Sequence, residues 1–220
     1  MRRLAVAAAA CLAVVTLFAA PSLVAASPKA TSGACTHGYS YAGYASREGV
    51  RGIAASIAAT RRPTVTSGHA AAWIGVGGIR QALGRRSAWL QAGVAAFHGT
   101  GLRLYVEYVS LGQPRRFIDL GPATTRTSHR FEVVEVGADV WQAFVDRHAV
   151  GQPAYLPTGG GTWRGVATAE SWTAGGARCN RFGYRFERVT VLGGGWRSLH
   201  DAAPVGQRAH RTGAGFAATA

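Results

Sequence analysis

Ala88-Trp89-Leu90-Gln91-Ala92-Gly93-Val94-Ala95-Ala96-Phe97 and, after a glycine-containing break at 98–101, Leu102-Arg103-Leu104-Tyr105-Val106-Glu107-Tyr108-Val109 form the most telling stretch of this chain. Short runs rich in Val, Ile, Phe, Tyr and Trp, bounded by Gly, Pro, Asp and Ser, predict β-strands. Reading outward from these two, the same signature predicts strands over Ala70–Val76, Arg116–Leu120, His129–Val136, Val140–Asp146, Val166–Trp172 and Phe182–Leu192. Gly137-Ala138-Asp139 reads as the turn of a hairpin. Val50–Ala59 fits a strand by the alternation of Ile53, Ala55 and Ile57, or a helix by its alanines. Many short strands at this spacing, without an internal repeat, predict a sandwich or barrel and not βαβ units.

The ends read differently. Met1-Arg2-Arg3, an uncharged apolar run from Leu4 to Ala20 and the small-residue exit Val24-Ala25-Ala26 predict a secretory signal peptide over 1–26. The run falls short of the ~20 residues that a membrane anchor spans comfortably. Cys11 lies inside it and not at its end, which argues against a lipid anchor. The expectation is a secreted, extracellular protein with no membrane attachment once the signal is cut. Residues 27–34 read as a flexible lead-in and 35–192 as a single β domain. Residues 193–220 open on Gly193-Gly194-Gly195 and show no periodicity, so they are expected to be a disordered tail.

Outside the signal only Cys35 and Cys179 remain. In an exported chain they allow one disulfide, or else two free buried thiols. Closing so long a loop would stabilise the fold by about 4–5 kcal/mol in the chain-entropy picture. The chain carries 24 Lys and Arg against 10 Asp and Glu, a net charge of +14. The arginines are scattered, with short pairs such as Arg61-Arg62, Arg85-Arg86 and Arg115-Arg116. A specific nucleic-acid site would gather them in a patch or along one helix. The charge instead favours loose contact with anionic cell-envelope polymers.

Successive side chains of a strand point to opposite faces. Parity sets Ile74, Val76, Leu90, Ala92, Val94, Leu104, Val106, Ala167 and Ala169 against Trp73, Gly75, Trp89, Gln91, Gly93, Tyr105, Glu107, Glu170 and Trp172. The first set is a plain core. The second mixes indoles, an amide, two carboxylates and glycines, which suits the wall of a binding cleft. It also suits aromatics packed beneath a covering loop.

Several chemistries are set aside. There is no H-E-x-x-H, C-x-x-C or H-x-H, so no metal site is expected, and no cofactor motif is present. Gly159-Gly160-Gly161 lacks the Gly-Lys-Ser/Thr of a phosphate loop. Gly38-Tyr39-Ser40-Tyr41-Ala42-Gly43 grazes the nucleophile elbow without its second glycine. Glu107 and Glu170 share a face, and a carboxylate pair of that kind also serves glycosidases.

A more specific pattern surrounds Gln91. Ala72-Trp73-Ile74-Gly75, then Leu90-Gln91-Ala92-Gly93-Val94, resembles the paired strands of the eqolisin-type glutamic peptidases, with a basic, glycine-containing insertion, Ile79–Ser87, between them. Tyr105-Val106-Glu107-Tyr108 is similar to that family's "Y-E-W-Y" stretch, and Ala169-Glu170-Ser171-Trp172 to its "A-E-W", with the tryptophan one place later. The resemblance implies a concanavalin-like antiparallel β-sandwich of jelly-roll type. It implies an acid endopeptidase in which Glu170 is general acid/base and Gln91 stabilises the oxyanion, with no metal or cofactor. Substrate would then lie against Trp73, Trp89, Tyr105, Glu107 and Trp172, and the partner would be a peptide or protein. The alternative is a non-catalytic secreted module on the same scaffold, gripping envelope glycan or peptide by Trp73, Trp89 and Trp172.

Overall fold

All eight predicted strands form, each within two residues of its expected ends, and Val50–Ala59 resolves as a strand over Gly52–Ala59. A computed structural model describes residues 35–78, 88–157, 163–207 and 209–220. The expected signal peptide, the lead-in, the Ile79–Ser87 insertion and the Gly159–Gly161 loop lie outside the described residues. The strands are β1 (Gly38–Ser46), β2 (Gly52–Ala59), β3 (His69–Gly77), β4 (Trp89–Phe97) and β5 (Leu102–Val109). Next come β6 (Arg116–Pro122), β7 (His129–Gly137), β8 (Val140–Val145), β9 (His148–Tyr155) and β10 (Gly165–Thr173). The last are β11 (Gly183–Leu192), β12 (Trp196–Ser198), β13 (Ala202–Gly206), β14 (His210–Thr212) and β15 (Gly215–Thr219).

They form two antiparallel sheets, in the order β13-β1-β10-β3-β4-β5-β6 and β14-β15-β11-β2-β7-β8-β9, with β12 paired to β11. The fold is thus a β-sandwich, as expected, and no helix among the described residues is long and apolar enough to cross a membrane. The core lies between the sheets. Ile74, Val76, Leu90, Ala92, Val94, Val106, Ala167 and Ala169 meet Ile53, Ile57, Phe131, Val133, Tyr184 and Phe186 of the second sheet there. Strand β2 shows why its sequence was ambiguous. It is central, between β11 and β7, and every residue in it is buried, so its outward face also carries small residues. The outward Ser56 accepts a hydrogen bond from Arg188 Nη2 at 2.9 Å.

Residues 193–220 correct the expectation of a disordered tail. Strand β13 extends the first sheet along β1, β15 pairs with β11, and β14 pairs with β15. The physical reason is backbone pairing on free strand edges, helped by a few apolar side chains. Phe216 is buried, stacks on Phe186 at 4.3 Å and meets Tyr44 edge-on at 5.1 Å. Strands β1 and β9 also went unread. The glycines and tyrosines of β1 look like loop, and β9 carries Pro153, which an edge strand tolerates. Cys35 and Cys179 are joined in a disulfide, with Cα atoms 5.3 Å apart across 144 residues of chain.

Candidate active site

The side chains that parity opposed to the core occupy one face of the seven-stranded sheet. Register brings them together. On β10, Glu170 stands opposite Ala71 of β3, so its diagonal neighbours on that strand are His69 and Trp73. The small Ala71 leaves the carboxylate free to reach both. Its Oε1 lies 2.8 Å from His69 Nε2, and its Oε2 accepts a hydrogen bond from Trp73 Nε1 at 3.1 Å. Glu170 is only 8% exposed, so both oxygens are held where desolvation makes such bonds count.

On β4, Gln91 stands opposite Gly75 on one side and Glu107 on the other. Its amide nitrogen donates to Tyr105 Oη at 3.3 Å and to Glu107 Oε2 at 3.4 Å. These are long bonds that a better acceptor could displace. The glycines have a reason here. A Cβ on Gly75 would sit 2.4 Å from Leu90 O and 2.9 Å from the Gln91 Cα, and one on Gly93 2.0 Å from Ala72 O. Strands β3 and β4 approach each other so closely across this face that only glycine fits.

Gln91, Glu107, Glu170, His69 and Arg115 all line two adjoining hollows of about 290 and 220 Å³, which we describe as two lobes of one cleft. Tyr39, Tyr41, Trp73 and Trp89 wall the larger lobe. Ala71, Ala95, Phe97, Tyr105 and Phe117 line the smaller, apolar one, in which Phe117 stacks on Tyr105 at 5.2 Å. Burial raises the Glu107 carboxyl above its ordinary range; the Arg115 charge opposes this, Glu170 adds to it and His69 opposes it. Burial likewise raises the Tyr39, Tyr41 and Tyr105 hydroxyls, and the charge of Glu170 raises each further. These phenols are therefore neutral hydrogen-bonding groups in the cleft. Among the described residues no group of three His, Cys, Asp or Glu side chains is placed to hold a metal ion.

Of the residues expected to touch substrate, Trp73, Trp89, Tyr105 and Glu107 line the cleft. Trp172 lines neither lobe. It stacks on the far side of the His69 ring at 6.4 Å, because it stands opposite His69 at the end of β3. Trp73 is 3% exposed and its indole N–H is committed to Glu170, so Trp73, Trp89 and Trp172 do not form one exposed platform. Sequence reasoning missed His69, Tyr39, Tyr41 and Arg115. His69 has the same parity as Trp73, a signal that was present; Arg115 precedes its strand, where parity says nothing.

No protein-family model matches the chain, and no curated protein does. Solved structures do. Scytalido-glutamic peptidase with a peptide-based transition-state analogue superposes with a TM-score of 0.59 at 14% identity, over 81% of this chain and 96% of that one. SCP-B, a member of the eqolisin family of peptidases in complex with the tripeptide Ala-Ile-His, gives 0.51 at 14% identity, over 82% of this chain and 96% of that one. The chain shares the glutamic-peptidase fold. At such low identity the likeness is one of architecture, and the chemistry has to be argued from the cleft itself.

Proposed function

We propose that this chain is an eqolisin-like acid endopeptidase, with Glu170 as general acid/base and Gln91 as oxyanion donor. The observation that carries the reading is that a twice-anchored carboxylate and a weakly engaged amide, on separate strands, line the same cleft. The fold shared with peptidases solved around a peptide analogue and a tripeptide supports a peptide as substrate. A water held by Glu170 attacks the peptide carbonyl while the carboxylate takes its proton. The carbonyl oxygen becomes an oxyanion and accepts a hydrogen bond from Gln91 Nε2 in place of Tyr105 and Glu107. As the C–N bond breaks, Glu170 returns the proton to the departing amine. A carboxylate oxygen has a second acceptor site, so the bonds to His69 and Trp73 leave room for the water.

The test is hydrolysis of denatured casein by the mature protein below about pH 5, where a carboxyl can both take and give the proton. Wild type is expected to cleave and Glu170→Gln to be inert. Gln91→Ala is expected to lose roughly 10²–10³-fold in kcat, the usual cost of one oxyanion donor. Absence of cleavage by wild type, or full activity of Glu170→Gln, rejects the reading.

A further inference from the structure

The contact between His69 and Glu170 goes beyond what the proposed chemistry needs. A general base requires an anchor, and Trp73 Nε1 already supplies a neutral one on Oε2. Yet the other oxygen meets an imidazole nitrogen at 2.8 Å, with the two side chains only 21% and 11% exposed. The ring is held in place. Trp172 stacks on it at 6.4 Å and 17°, Phe97 lies 5.7 Å away and Tyr39 6.0 Å away. Its backbone is fixed as well, because the buried Asn180 amide donates to both His69 O and Trp172 O at 3.1 Å. A ring that merely filled space would not need a nitrogen aimed at the carboxylate.

We propose that His69 is a positioning residue that fixes the orientation of the Glu170 carboxylate through its second oxygen. The proposal rests on the peptidase reading of the cleft. With Oε2 held by Trp73 Nε1 and Oε1 by His69 Nε2, rotation of the carboxylate is stopped at both oxygens. The other titratable groups facing the pair are Tyr39 and Tyr41 from β1, Tyr105 and Glu107 from β5, and Arg115 ahead of β6. The phenols are neutral, and Arg115 is turned toward Glu107 at 3.5 Å. His69 is thus the titratable side chain in hydrogen-bonding contact with Glu170.

Two measurements on the mature protein test this. In proton NMR, a low-field imidazole N–H signal that disappears in His69→Gln should be lost or displaced in Glu170→Gln, while histidine signals from outside the cleft stay put. An unmoved signal in Glu170→Gln overturns the proposal; should His69→Gln not fold, a Glu170→Gln spectrum in which no low-field imidazole N–H signal is lost or displaced overturns it equally. In steady-state peptide hydrolysis, His69→Leu should lower kcat, by up to roughly 10²-fold, with KM little changed, because a misoriented base fails in the chemical step and not in binding. Trp73→Phe, which frees the other carboxylate oxygen, should lower kcat in the same way. An active wild type whose kcat is unchanged in His69→Leu also overturns the proposal. A wild type with no peptidase activity at any pH instead removes the peptidase reading, and the low-field signal still decides whether the pair exists.

Discussion

At the scale of single residues, the cleft works by diagonal reach. Glu170 finds His69 and Trp73 because the residue directly across from it is an alanine. Gln91 meets Glu107 because the two are direct cross-strand partners, and its other side is left open by Gly75. Glu107 provides a pH test of this arrangement. Burial, opposed by Arg115, raises its carboxyl above the ordinary value of 4.5. A raised carboxyl favours the folded state where it is protonated. That contribution is complete below the ordinary value and is lost as pH climbs through the raised one. Glu107→Gln keeps the shape without the charge. The stability of wild type relative to Glu107→Gln, measured by urea denaturation, should therefore fall as pH rises above the ordinary value of 4.5. A difference that is flat with pH, or that grows in favour of wild type, contradicts the burial argument.

At the scale of strands, the close approach of β3 and β4 is what places Gln91. Gly75→Ala would drive a methyl into the backbone of Leu90 and Gln91. Overpacking of this kind costs about 1–3 kcal/mol. Thermal unfolding should report that loss, and peptidase activity should drop further than stability alone explains, because the displaced segment carries the amide. Activity retained at the wild-type level would mean that the position of Gln91 is not critical. Strands β3 to β8, β10 and β11 were legible because each holds a run of β-branched and aromatic residues bounded by turn residues, and β7 and β11 also alternate between buried and more exposed positions. Strands β12 to β15 were not: Phe216 and Ala218 alternate correctly, but over too few residues to stand out from an Ala- and Gly-rich background. Parity assigned Glu170, Gln91 and Trp73 to the right face. It also assigned Trp172 there, but parity fixes the face of a strand and not the position along it, so the end of the cleft was invisible. His69 was hidden for a related reason. It shares the parity of Trp73, but parity does not show what lies diagonally across from it, and register does.

At the scale of the whole molecule, a strongly basic chain of net charge +14 encloses a cleft with two carboxylates near its centre. Acidic groups elsewhere are engaged by cations, as in Arg103–Asp119 at 2.9 Å, Arg51–Glu135 at 3.0 Å and Arg130–Glu132 at 3.3 Å. The excess of arginine is therefore spread over the surface and does not define the site. The disulfide ties the segment before β1 to the connection between β10 and β11, so it braces the strand that carries Glu170. Replacing Cys35 and Cys179 together by Ser should cost about 4–5 kcal/mol, read as a lowered denaturation midpoint. An unchanged midpoint would show that the long loop is already constrained without the bond.

The cooperation of Gln91 and Glu170 on one scissile carbonyl is most directly tested by a crystal structure of the protein with a peptide transition-state analogue. The account predicts that one oxygen of the tetrahedral centre lies about 3 Å from Gln91 Nε2 and the other about 3 Å from a Glu170 carboxylate oxygen. An analogue seated in the cleft with its tetrahedral centre beyond reach of either side chain, or bound elsewhere on the sandwich, would contradict it.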